Sequence, residues 1–214
     1  MDRIRHLVAA GTVTADEGER LLAAVRPSVT KRSLWFLPFD PFERVGGGLG
    51  VTLGAIISAV QIAMARFGVA FDGAIDCHAA PNRVVPIDLA LGGQFAGWLL
   101  VAVLFWAGAR LGSSRGRFVD YLGAVGVARL PLILIGLVAI PAARLVPPGQ
   151  IPPLTPLFLI LAVASLPLLG WFFVLLFFGF KSASGLAGGR LWGTFFAAIA
   201  VAEIASKLAL HLVR

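Results

Sequence analysis

An arginine and a proline sit inside an apolar run long enough to cross a bilayer, and that run constrains the rest of the chain. Residues 119–142, VDYLGAVGVARLPLILIGLVAIPA, carry Arg129 and Pro131 near their middle. About twenty apolar residues span the hydrocarbon layer. A basic loop precedes the run, with Arg110, Arg115 and Arg117 and no acid before Asp120. A cation at mid-membrane is costly unless it meets an acid or a water-filled cavity. Arg129 therefore requires a partner from another helix.

The run is one of five. The expected spans are residues 46–68, 89–109, 119–142, 154–180 and 191–211, and only 14% of the 214 residues are charged. A soluble domain carries about 25%. The fold class is thus all-α: a polytopic membrane bundle of five transmembrane helices with a short cytoplasmic helical hairpin. The net charge of +7 comes from short loops between spans, which suits membrane orientation and gives no patch for nucleic acid. A single cysteine, Cys77, excludes an intrachain disulfide. The first residues have scattered charges and no continuous apolar core, so they do not read as a signal peptide.

Residues 1–27 form the hairpin. Gly11 is placed to end the first helix in a left-handed cap, and Thr14 with Glu17 makes a capping box for the second. LVAAGTVTADEGERLLAAV resembles the SHOCT-like helical hairpins attached to many bacterial proteins. Residues 28–45 read as an interfacial linker, aromatic beside cations and broken by Pro38 and Pro41. Residues 46–214 form the membrane domain. In its first span Gly46, Gly50, Gly54 and Ser58 recur every four residues, a face that lets another helix approach closely.

Lys and Arg set the orientation. Seven lie in residues 1–45, three in the 110–118 loop and two in the 181–190 loop, against four on the opposite side. The positive-inside rule then puts the N-terminus in the cytoplasm and the C-terminus outside. Depth suggests a pairing. Arg129 and Glu203 both fall ~15–18 Å along their spans at ~1.5 Å per residue, so they are expected to meet. Lys207 shares Glu203 or reaches Asp88. Pro131 is expected to open the helix and free the Val127 carbonyl.

Three stretches together resemble the bacterial branch of the Yip (Ypt-interacting protein) membrane family: VAFDGAIDCH after the first span, RFVDYLGAVGVARLP at the third, and LWGTFFAAIAVAEIASK in the fifth. The resemblance implies five spans with a cytoplasmic N-terminus and an external C-terminus. Eukaryotic members bind prenylated Rab-type GTPases through an acidic, tyrosine-containing motif. FDPFERV is the nearest segment here and does not match it. Some bacterial relatives accompany ABC-type exporters.

For metal chemistry, Asp72, Asp76 and His78 are suitable ligand types for a divalent cation, but their spacing matches no strong signature, and solvated loop residues are the plain alternative. No cofactor is expected. No serine has the G-x-S-x-G setting, and GLAGG at residues 185–189 lacks the Lys-Ser/Thr of a phosphate loop, so no enzyme is expected. Two readings of function remain. One is a non-enzymatic Yip-type protein that binds partner proteins, as homo-oligomer or hetero-complex, or organises the bilayer. The other is a transporter or exporter subunit using Arg129, Glu203 and Lys207. A transporter needs a polar cavity reaching these charges; a scaffold seals them.

Overall fold

The computed structural model describes residues 2–25, 37–71, 73–75, 77–79, 84–144 and 155–213. The chain divides into two units, Met1–Pro38 and Phe39–Arg214.

In the first unit, α1 (Asp2–Ala9) and α2 (Ala15–Val25) form a helical hairpin. Gly11 turns the chain at φ +69°. The capping box is reciprocal: the Glu17 amide donates to Thr14 Oγ1 at 3.3 Å, and the Thr14 amide donates to Glu17 Oε2 at 3.1 Å. Both orphan donors at the helix start are thereby satisfied. Gly18 lets α2 lie against Val8, since a Cβ there would overlap that side chain.

Among the described residues, the second unit contains five helices long and apolar enough to cross a membrane: Gly47–Phe67, Ile87–Leu111, Phe118–Pro141, Pro156–Ser184 and Gly188–Ala209. The first contains α3 (Gly47–Met64). The second is α4 (Ile87–Gln94), a π-helical turn (Phe95–Leu100) and α5 (Val101–Leu111). The third is α6 (Phe118–Ala128) followed by α7 (Leu130–Arg144). The last two are α8 (Pro156–Ser184) and α9 (Gly188–Val213). The turn between α8 and α9 is shorter than the expected 181–190 loop. Gly185 and Gly188 adopt φ +64° and +60°, so a tight turn suffices and both helices lengthen.

The third span is the centre of the bundle, with 61% of its most apolar window buried against 17% for the fourth. Small residues make this possible. A Cβ on Gly50 would lie 3.1 Å from the Gly123 Cα, and one on Gly126 would lie 2.7 Å from the Gly54 Cα. The backbones of α3 and α6 are in direct contact there, as small-xxx-small faces permit in lipid. The slot left by Gly54 and Gly126 receives the Trp98 indole, whose Nε1 donates to the Leu122 carbonyl at 2.8 Å. Thus the first three spans interlock at one level.

Towards the end that carries the basic loops, aromatic rings fill the core. Phe105 meets Phe180 edge-on at 5.1 Å and Phe195 at 5.8 Å. Ser114 donates to the Ser184 carbonyl at 2.7 Å and shares a hydrogen with Tyr121 Oη at 3.0 Å, tying the 112–117 loop to the end of α8. Phe42, in the 3-10 turn Pro41–Glu43, is buried against Gly179 and Ala124. The end of the expected linker therefore packs on the bundle; residues 28–36 lie outside the described residues.

At the opposite end, β1 (Val69–Ala70) and β2 (His78–Ala79) pair antiparallel. Asp72, Asp76 and His78 mark the stretch after the first span as a solvated loop in the sequence, yet Val69, Phe71 and Ala74 are buried. The apolar half of VAFDGAIDC turns inward and packs on α7.

A buried arginine held by three spans

The third span breaks where Arg129 and Pro131 stand. Pro131 has no amide to donate, so α6 ends at Ala128 and α7 restarts at Leu130. The Leu132 amide donates to the Arg129 carbonyl at 3.1 Å, and the same carbonyl accepts from Gln61 Nε2 at 3.2 Å. The carbonyl opened to a side-chain donor is thus that of Arg129, where Val127 was expected.

The Arg129 side chain is fully buried. Its Nε and Nη2 donate to Gln61 Oε1 at 3.2 and 3.0 Å. Nη1 donates to the Gly97 carbonyl at 2.7 Å, and Nη2 reaches Gln94 Oε1 at 3.5 Å. Gln61 therefore closes a two-way clamp, accepting from the guanidinium and donating to the backbone of the same residue. Gly97 lies in the π-helical turn, a local widening that recurs at functional positions. A Cβ on Gly97 would overlap Arg129 Nη1 and sit 2.5 Å from the Gly73 carbonyl oxygen. Only glycine lets the guanidinium and the 69–79 hairpin share that space.

No carboxylate pairs with Arg129 among the described residues. The charge is met by neutral oxygens and by the carbonyl end of α6, which carries partial negative charge. Hydrogen bonds to a charged group contribute about 1.5–3 kcal/mol each, enough together to offset an effective burial cost of several kcal/mol.

The expected pair of Arg129 with Glu203 does not form. The fifth span packs chiefly on the second and the third lies on the first and fourth, so equal depth did not bring the two side chains together. Glu203 instead accepts the Ile75 amide at 3.4 Å and stands 3.6 Å from Lys207 Nζ. One turn on, Ser206 Oγ accepts the Ala74 amide at 3.2 Å. The acid thus anchors the 69–79 hairpin to α9. Asp120, close to the basic end, is held by Arg117 through two contacts of 3.1 Å.

Of the small-residue face, Gly50 and Gly54 meet Gly123 and Gly126, while Gly46 caps α3 with nothing near its missing side chain. Ser58 is buried, its hydroxyl unpartnered among the described residues. Of the weak metal candidate, Asp72 and Asp76 lie outside the described residues, as does the side chain of His78. No group of three potential ligands occurs among the described residues.

Sequence reasoning missed Gln61, Gln94 and Gly97 as partners. A signal existed: Gln61 and Gln94 are lone amides in otherwise apolar spans. Counted from the basic end, they lie ~21 and ~25 Å along their helices against ~16 Å for Arg129, within the reach of a long side chain.

The same residues can be set beside known families. The Yip1 domain family profile matches residues 33–206. The chain belongs to the Yip1 domain family. Among curated proteins and among solved structures, none matches it. The matched region holds the first four apolar helices, the fifth as far as Ser206, and the Arg129 contacts found among the described residues of this Yip1 domain. The N-terminal hairpin lies outside it apart from its expected connection, and the SHOCT likeness of that hairpin rests on its sequence alone.

Proposed function

We propose that this Yip1-domain protein is a non-enzymatic membrane scaffold that binds partner membrane proteins through its exposed span faces. The observation that carries the reading is the sealing of Arg129: the guanidinium is fully buried and its acceptors belong to the bundle itself. A polar group closed off in this way locks helices together and lines no solute path. The faces left outward are apolar. Trp192, Phe196, Val201, Ile204 and Leu208 are exposed over the half of α9 opposite the buried Leu191, Phe195, Ala198 and Ala202, a surface suited to lipid or to another membrane helix. The distribution of Lys and Arg supports an orientation in a bacterial inner membrane with the N-terminus in the cytoplasm.

The test uses proteoliposomes and photo-cross-linking together. The reconstituted protein should add no ion or solute leak over empty vesicles. A photoreactive residue at Phe196 should give a discrete protein adduct in native membranes. An Arg129-dependent flux, or lipid adducts alone from Phe196, would contradict the scaffold.

A further inference from the structure

A cavity of about 160 Å³ opens at the basic end of the membrane domain, walled by Phe42, Val45, Gly46, Asp120, Ala124 and Ser182 among others. Its position follows from the span ends: α3 begins at Gly47, α6 at Phe118 and α8 closes at Ser184. With these helices crossing a bilayer, all three ends would fall at headgroup depth. The lining is mixed. Asp120 offers a carboxylate whose side chain is 26% exposed. The buried Phe42 ring supplies an aromatic wall, and the exposed Ser182 a hydroxyl at the rim. We propose that this cavity takes the primary ammonium of a phosphatidylethanolamine headgroup.

Three features of the site select that chemistry. A carboxylate accepts about four hydrogen bonds, and Arg117 uses one site on each Asp120 oxygen, so acceptor capacity remains for an ammonium. An aromatic face attracts a cation placed over it. The adjoining phosphodiester meets the exposed Arg117 and the start of α3, where no side chain caps the first amides and Gly47 lies 3.7 Å (from its Cβ position) to Arg117 Nη2. Ammonium and phosphate are thus met in the order in which a zwitterionic lipid carries them. A trimethylated choline has no N–H to donate and is larger.

The full chain, purified in mild detergent, would be exposed to an equal mixture of phosphatidylethanolamine, phosphatidylcholine and phosphatidylglycerol and its retained lipid read by native mass spectrometry. The ethanolamine lipid should be retained at least about fivefold over either competitor, a factor corresponding to about 1 kcal/mol. Asp120→Asn should abolish that preference. Ser182→Phe, which fills the cavity from its exposed rim and leaves the Arg117–Asp120 pair in place, should lower retention of the ethanolamine lipid. Equal retention of the three lipids, a preference for phosphatidylglycerol, or a preference surviving Asp120→Asn would overturn the proposal. Should Asp120→Asn fail to fold, Ser182→Phe decides: unchanged ethanolamine-lipid retention in that variant rejects the site.

Discussion

Gln61 holds both the side chain and the carbonyl of Arg129, and substitutions there separate shape from charge. Gln61→Leu removes two acceptor contacts and one donor contact from a buried cation. The expected loss is about 2–4 kcal/mol, because the guanidinium stays buried with donors unmet. Thermal unfolding in detergent should show a clear fall in midpoint. Gln61→Glu keeps the shape and brings a carboxylate to the guanidinium but loses the donor to the Arg129 carbonyl, so it should be more stable than Gln61→Leu. A Gln61→Glu variant as unstable as Gln61→Leu would mean that the surroundings, and not the acceptor, set the cost. The need for a partner at Arg129 was legible in its apolar run, but matching depths led to the wrong one. The depth argument compared charges only, and it carried no information on which spans are neighbours. Neutral amides and a glycine carbonyl supply no charge signal, although they suffice when several converge.

At the level of elements, glycines decide how close helices come. Gly126→Ala places a Cβ 2.7 Å from the Gly54 Cα, a backbone atom that moves only with its helix. The cost should be about 1–3 kcal/mol of overpacking. Gly193→Ala, with nothing within 4 Å of its Cβ position, should be neutral or gain up to about 1 kcal/mol from helix propensity. The pair of melting curves checks both, and equal losses would contradict the packing. The 69–79 hairpin is held by Glu203 and Ser206, so the double change Glu203→Leu, Ser206→Ala should loosen it. Cys77, the chain's one cysteine, reports directly: maleimide labelling should accelerate by about thirtyfold if two hydrogen bonds of about 1 kcal/mol each are lost. An unchanged rate would place the hairpin's hold elsewhere. In α2, the Thr14 backbone amide and then its hydroxyl hold the Glu17 carboxyl below its ordinary value. A depressed folded-state pKa contributes above the unfolded pKa, and that contribution is lost as pH falls through the folded one. The amide resonances of residues 14–18 should therefore report fraying of α2 in acid, removed in Glu17→Gln; a Glu17→Gln hairpin that frays identically would contradict the capping role. Element existence was legible because apolar length and capping chemistry are local. The burial of Val69, Phe71 and Ala74 was not, since their polar neighbours Asp72, Asp76 and His78 dominate the hydropathy of that loop.

For the whole molecule, five apolar helices, a central third span and one sealed polar level form a bundle whose stability is concentrated where the first three spans cross. The five spans and the family were readable from apolar length and from the three resembling stretches. The lateral order of the helices was not, because a glycine face states that something packs closely without naming what. The account stands on Arg129 being satisfied by the first and second spans and independent of the fifth. A double-mutant cycle tests this directly, using thermal unfolding of the full chain in detergent. Arg129→Leu combined with Gln61→Leu should cost less than the sum of the single changes, with a coupling of about 1–3 kcal/mol as expected for residues in one hydrogen-bond network. Arg129→Leu combined with Glu203→Leu should be additive within about 0.5 kcal/mol. Additivity with Gln61 and strong coupling with Glu203 would contradict the account.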